Sequence, residues 1–112
     1  IEQDADMRSY LETIYPRFTF AAQAEDLPHI LQQQHLENAD CIVSALPFLS
    51  FSAPQRELLI QRIKDALAPN GVFILFQYSP LLRTLLRKHF SSIETTYVLR
   101  NLPPAFVFTC RK

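Results

Sequence analysis

The sequence predicts an α/β fold: a mostly parallel sheet that ends in an antiparallel hairpin. Three observations carry this. Helix-type and strand-type segments alternate along most of the chain, which is the pattern of parallel strands joined by crossover helices. Residues 72–76, Val-Phe-Ile-Leu-Phe, form a nearly continuous apolar run, as expected of a strand covered on both faces. Two strand-like runs, 93–99 and 105–110, flank Arg100-Asn-Leu-Pro-Pro104. So short a connection should pair them antiparallel.

Met7, Tyr10, Leu11 and Ile14 recur at helical spacing and predict a first helix with one buried face. Pro16 ends it, and Phe18-Thr-Phe20 reads as a short strand. Pro28 suits the first turn of a second helix reaching about Glu37, with Ile30 and Leu31 as its apolar contacts. Asp40 then opens a strand through Cys41, Ile42 and Val43, which runs into a Ser-Ala-Leu-Pro-Phe loop ending at Phe48. A third helix starts at Ser52 or Ala53, with Leu59, Ile63, Ala66 and Leu67 as its buried stripe. Pro69-Asn70-Gly71 stops it, with Asn70 or Gly71 able to take the left-handed cap conformation. Leu81, Leu82, Leu85, Leu86 and Phe90 mark a fourth helix.

The 112 residues suit one domain. A hydrophobic content of 48% supports a packed core and argues against disorder. Formal net charge is zero, so no overall field draws the protein to nucleic acid. Charge is nevertheless uneven. Residues 1–65 hold ten acidic and five basic side chains, whereas residues 66–112 hold Glu94 against six bases. That asymmetry fits solvated helix faces and a basic tail, or a basic rim around a binding site. No stretch reaches the roughly 20 apolar residues of a membrane span, and no signal-peptide pattern is visible. Cys41 and Cys110 read as buried free thiols in a reducing, cytoplasmic setting. His29, His35 and His89 lack ligand-like spacing, so no metal is expected. The chain opens at Ile1 and holds a single glycine, Gly71; both lead us to expect sequence upstream.

In an open α/β sheet, ligands bind at the carboxyl ends of the parallel strands. The loop after Val43 lies at such an end. Taken alone, Leu46-Pro47-Phe48 reads equally well as an apolar turn.

The whole chain resembles the second two-thirds of a class I S-adenosylmethionine (SAM) methyltransferase. Ala-Leu-Ala-Pro-Asn-Gly-Val-Phe (66–73) resembles that family's turn into its fifth strand. Glu2 resembles the acid that holds the ribose hydroxyls, and Ala22-Gln23-Ala24-Glu25-Asp26-Leu27 resembles the segment that contacts adenine. Within the superfamily, residues 43–51 (Val-Ser-Ala-Leu-Pro-Phe-Leu-Ser-Phe), 76–80 (Phe-Gln-Tyr-Ser-Pro) and 100–105 (Arg-Asn-Leu-Pro-Pro-Ala) together look like bacterial phospholipid N-methyltransferases. The chain departs from the pattern in lacking the first strand and its Gly-rich loop. Gln23 stands where Asp is usual, Ala22 replaces a glycine, and Ser44 stands where Asp or Asn is frequent.

The resemblance implies a single partial domain of Rossmann-like type over residues 1–112. It implies SAM as cofactor, held by Glu2, Gln23 and Ala24, and a lipid amine such as that of phosphatidylethanolamine as methyl acceptor. The carbonyls of the loop from Ser44 to Leu46 and the Tyr78 hydroxyl would orient the amine, and Pro47, Phe48, Arg100 and Asn101 would bind the lipid. Tyr78 also reads as a solvated strand end, Glu2 as a helix N-terminal acid and Arg100 as a solvated turn residue. In the family's strand order one strand separates Cys41 from Cys110, so no disulfide is expected. The lost first strand would leave Cys41-Ile-Val43 with a free edge. The segment alone is therefore expected to bind SAM weakly, to be inactive, and to self-associate or rearrange there. A position peripheral to the membrane would suit the lipid acceptor. Two rival readings are a nucleic-acid adenine methyltransferase, which should show a basic cleft, and a non-catalytic interaction module of the same fold.

Overall fold

A computed structural model describes residues 1–112. Four helices and four strands run in the order α1 (Ala5–Ile14), α2 (Leu27–Gln33), β1 (Ala39–Ser44), α3 (Ala53–Ala66), β2 (Leu67–Gln77), α4 (Arg83–His89), β3 (Ser92–Val98) and β4 (Ala105–Arg111). The strands form one mixed sheet in the order β1-β2-β4-β3. β1 and β2 are parallel, and β4 is antiparallel to both β2 and β3. The α/β class and the C-terminal hairpin are as the sequence predicts. Only one pair of strands is parallel, so the sheet is mixed rather than mostly parallel.

Each helix boundary has a local cause. Asp4 caps α1 by accepting from the Met7 amide. Ser52 and Gln55 form a capping box at the start of α3, with Pro54 in its first turn. α3 buries Leu59, Ile60, Ile63 and Ala66 against the sheet. From the sheet side Phe73, Leu75, Phe108 and Cys110 meet them, and Phe48, Leu82, Leu86 and Phe90 complete the core. His89 ties α4 to α3, its Nε2 lying 2.7 Å from Glu57 Oε1 and its Nδ1 3.2 Å from Gln61 Oε1.

Several expectations are corrected. α1 buries no residue, and Met7, Tyr10 and Ile14 stay exposed; its apolar stripe finds no opposing surface. Phe18-Thr-Phe20 is not a strand. Pro69-Asn70-Gly71 does not cap α3. The helix passes directly into β2, and these residues form an irregularity in the ladder, where Ala39 pairs Leu67 but Cys41 pairs Val72. Asn70 takes the left-handed conformation there, at φ 63°. Residues 72–76 are covered fully on one face only: Phe73 and Leu75 are buried, while Val72, Ile74 and Phe76 are half-buried. Cys41 is exposed because β1 is an edge strand, and Cys110 alone is buried. Both are free thiols, and β2 does lie between the strands that carry them.

Candidate functional site

The loop after β1 is folded by its own groups. Ser44 Oγ accepts from the Leu46 amide at 3.1 Å. Pro47, at φ −77° and ψ 71°, sits at the centre of an inverse γ-turn in which the Phe48 amide donates to the Leu46 carbonyl at 2.9 Å. Gln77 adds a third tie. It closes the buried face of β2 after Phe73 and Leu75 and is the one polar residue in the core, 6% exposed. Its Nε2 donates to the same Leu46 carbonyl at 2.7 Å.

This accounts for both lone pairs of the Leu46 oxygen. Of the loop carbonyls that the sequence offers to an incoming amine, that of Leu46 is therefore already engaged in anchoring the loop. The neighbouring Ala45 carbonyl accepts no hydrogen bond from the protein.

Two hollows flank the loop. One, of about 320 Å³, lies between Ile1, Ala24, Leu27, Ile42, Ser44 and Pro47 and is predominantly apolar. The other, of about 190 Å³, lies between Ala45, Pro47, Gln77, Tyr78 and Ser79. Ala45, Leu46 and Pro47 line both, so this loop is the wall between them. A third hollow, of about 210 Å³, continues from Ala24 to Gln23 and Gln3.

The predicted site residues fall into two groups. Ser44, Leu46, Pro47 and Tyr78 are brought together around the loop, and Ala24 joins them across the larger hollow. Tyr78 is exposed, its ring packed edge-on against Phe76. Gln23 is exposed at the entrance of the turn that carries Ala24. Glu2 is only loosely associated with this group. Its amide pairs with the Ala21 carbonyl at 2.9 Å, which aligns segment 1–3 with 21–24. Its carboxylate, however, turns to the Asp4 amide at 2.9 Å, beside the start of α1.

Phe48, expected to bind the lipid, lines none of these hollows. It is fully buried, with its ring edge-on to Phe51 and Phe73, because the γ-turn directs it into the core. Arg100 and Asn101 line none of these hollows. Arg100 is exposed in the β3–β4 turn, and the Asn101 amide closes that turn by donating to the Pro103 carbonyl at 2.7 Å.

Sequence reasoning missed Gln77. The signal was present: a polar residue in the buried register of a strand must find a partner. No group of side chains is arranged to hold a metal ion, and no helix is long and apolar enough to cross a membrane.

No family model matches the chain. Over 116 aligned residues it is 34% identical to an ornithine lipid N-methyltransferase of Singulisphaera acidiphila, an alignment covering 99% of this chain and 60% of that protein. Over 45 residues it is 44% identical to a carboxy-S-adenosyl-L-methionine synthase of Pseudoalteromonas atlantica, covering 40% of the chain and 18% of that protein. The chain thus spans less than two thirds of the length of each relative. It is similar, over nearly its whole length, to part of an ornithine lipid N-methyltransferase.

Proposed function

We propose that this chain supplies the acceptor side of a SAM-dependent N-methyltransferase whose substrate is the amine of a lipid. The observation that carries the reading is the Ser44–Phe48 loop standing as a wall between two hollows, in a chain aligned along 99% of its length with an ornithine lipid N-methyltransferase. The mixed sheet, with ligand hollows at the carboxyl ends of β1 and β2, suits the Rossmann-like methyltransferase architecture.

The residues present fit the cofactor. The apolar hollow beside Ala24, Leu27 and Ile42 suits a flat ring, and the Gln23 amide at its margin can both donate and accept at an adenine edge. Glu2 would take the ribose hydroxyls once its carboxylate leaves the Asp4 amide. When bound, SAM supplies an electrophilic methyl group. The chain's own residues then position the acceptor. The unengaged Ala45 carbonyl and the Tyr78 hydroxyl would accept from a neutral amine and aim its lone pair across the loop. Ser44 and Gln77 fix the loop so that this carbonyl is preoriented. Transfer is an in-line displacement, for which alignment and exclusion of water supply most of the effect. The methylated amine then loses a proton to solvent.

Arg100 would serve the lipid phosphate or carboxylate from outside the hollows, as a planar fork suited to such groups. We further propose that residues 1–112 alone bind SAM weakly and are inactive, and that the free edge of β1 pairs with a second copy. The single glycine leaves no glycine-rich turn for the cofactor, and Val43 on that edge is 75% exposed. A cytoplasmic protein working at the membrane surface fits this reading.

Radiolabelled methyl transfer from SAM, offered aminolipid vesicles and ribosomal RNA in parallel, tests the acceptor. Label in the lipid is expected; label in the RNA with unlabelled lipid would refute the reading.

A further inference from the structure

The sheet end that carries the candidate site also carries exposed apolar side chains beyond those that line its hollows. Gln77 pairs with Phe106, Tyr97 with Phe106 and Val98 with Ala105. The residues following β2 and the β3–β4 turn therefore emerge at the same end. Tyr78 is 58% exposed there, Leu81 74%, Leu99 71% and Leu102 95%. The cations beside them are Arg83, which opens α4, and Arg100 between the two turn leucines; neither makes a hydrogen bond or ion pair through its side chain.

Acids are sparse around this corner, and Glu57, in the second turn of α3, is held by His89 at the far end of α4. None occurs in residues 41–56, and Glu94 is the only one in 66–112. Glu94 lies within β3 opposite Thr109, four residues from the strand's end and so roughly 13 Å back from it. The acidic cluster Glu2, Asp4 and Asp6 borders α1, on the β1 side of the loop, where Ile1 and Gln3 line its hollows; the hairpin strand β3 forms the other edge of the sheet.

We infer that this corner is the surface by which the protein docks on a membrane carrying anionic lipid, with Leu99, Leu102 and Leu81 entering the interface and Arg83 and Arg100 meeting headgroup phosphates. Protruding leucines on turns, next to cations without acids, match an interface that is apolar below and negative above. The leucines form no groove for a peptide or helix. The choice of a bilayer over a protein partner rests on the lipid-acceptor reading. Docking would bring the lipid amine to the Ala45–Tyr78 hollow without the lipid leaving the bilayer.

Flotation of the full gene product with phosphatidylcholine vesicles, with and without phosphatidylglycerol, tests this. Binding is expected to vesicles containing phosphatidylglycerol and to weaken with salt. Arg83→Gln should weaken it about fivefold, the effect of one cation at such a surface. The pair Leu99→Asp and Leu102→Asp, at exposed positions that leave the core intact, should abolish it. Both variants should still methylate an aminolipid dispersed in detergent. No vesicle binding by the wild type, or unchanged binding by the double variant, would overturn the inference. Vesicle binding that responds to these substitutions without methylation of any lipid would uphold docking and refute the acceptor reading.

Discussion

The Gln77 amide and the Phe48 amide converge on one oxygen, that of Leu46, and the candidate site takes its shape from that point. Gln77→Leu keeps the side chain apolar and near in size but removes the donor. Because Leu46 retains its bond from Phe48, the expected loss of stability is about 1 kcal/mol, read from urea unfolding. The loss of methyl transfer should be larger, about tenfold to a hundredfold, because a displaced acceptor carbonyl misaligns the amine. Equal small effects on stability and rate would show that the bond serves packing alone. The two thiols allow a second check. Burial pushes the Cys110 thiol up to about 12, whereas Cys41 is exposed. A disulfide-exchange reagent at mild alkaline pH should titrate one thiol in the native protein and two after denaturation. Since the folded state holds the Cys110 proton more tightly than the unfolded chain, its contribution to stability is complete below the ordinary thiol value of 9.0 and is lost as pH rises toward 12. At this scale the sequence reveals residue types more readily than directions. Ser44, Pro47 and Tyr78 were legible as a cluster because they flank strand ends. Phe48 was legible only as core or pocket wall; the γ-turn geometry at Pro47 is what decides for the core. Cys41 was misread as buried because the edge position of β1 is a tertiary fact.

Among the elements, α3 and β2 were the most legible, having a strong capping signal and a long apolar run. Ser52→Ala removes the hydroxyl that accepts from the Gln55 amide and should cost about 1 kcal/mol in chemical denaturation. The junction between the two elements was less legible. Pro-Asn-Gly is a stop signal in either case, but the structure uses it to offset the β1–β2 ladder. A Cβ on Gly71 would lie 2.8 Å from the Ala68 carbonyl oxygen, a backbone atom that cannot swing away. Gly71→Ala should therefore destabilise by about 1–3 kcal/mol, visible as a lower denaturation midpoint with an unchanged slope. A variant as stable as the wild type would mean that the offset is not fixed by this close approach. α1 was legible as a helix and illegible in its packing. Periodicity shows that Met7, Tyr10 and Ile14 share a face, and says nothing about whether a surface is there to receive it.

Across the whole molecule, helices α2, α3 and α4 lie on one side of the sheet, where the core is. The other side, with Cys41, Val43, Ile74, Phe76 and Val107 in register, is covered incompletely. The strand order around β2 was recovered through family resemblance, since no periodicity in the chain states which strands are neighbours. Exposed β1 leaves unpaired backbone groups on an apolar edge. Sedimentation of residues 1–112 is expected to show concentration-dependent association, weakened by Val43→Lys; a monomer at all concentrations would show that the edge is protected. The central claim concerns chemistry and is tested most directly on the lipids themselves. The gene product would be expressed in cells whose membranes contain unmethylated aminolipids, and the lipid extract read by mass spectrometry. The account predicts aminolipids carrying added methyl groups on nitrogen, strongly reduced when Gln77→Leu is expressed at the same level. An extract identical to that of cells without the protein, with the protein folded and SAM abundant, would contradict it.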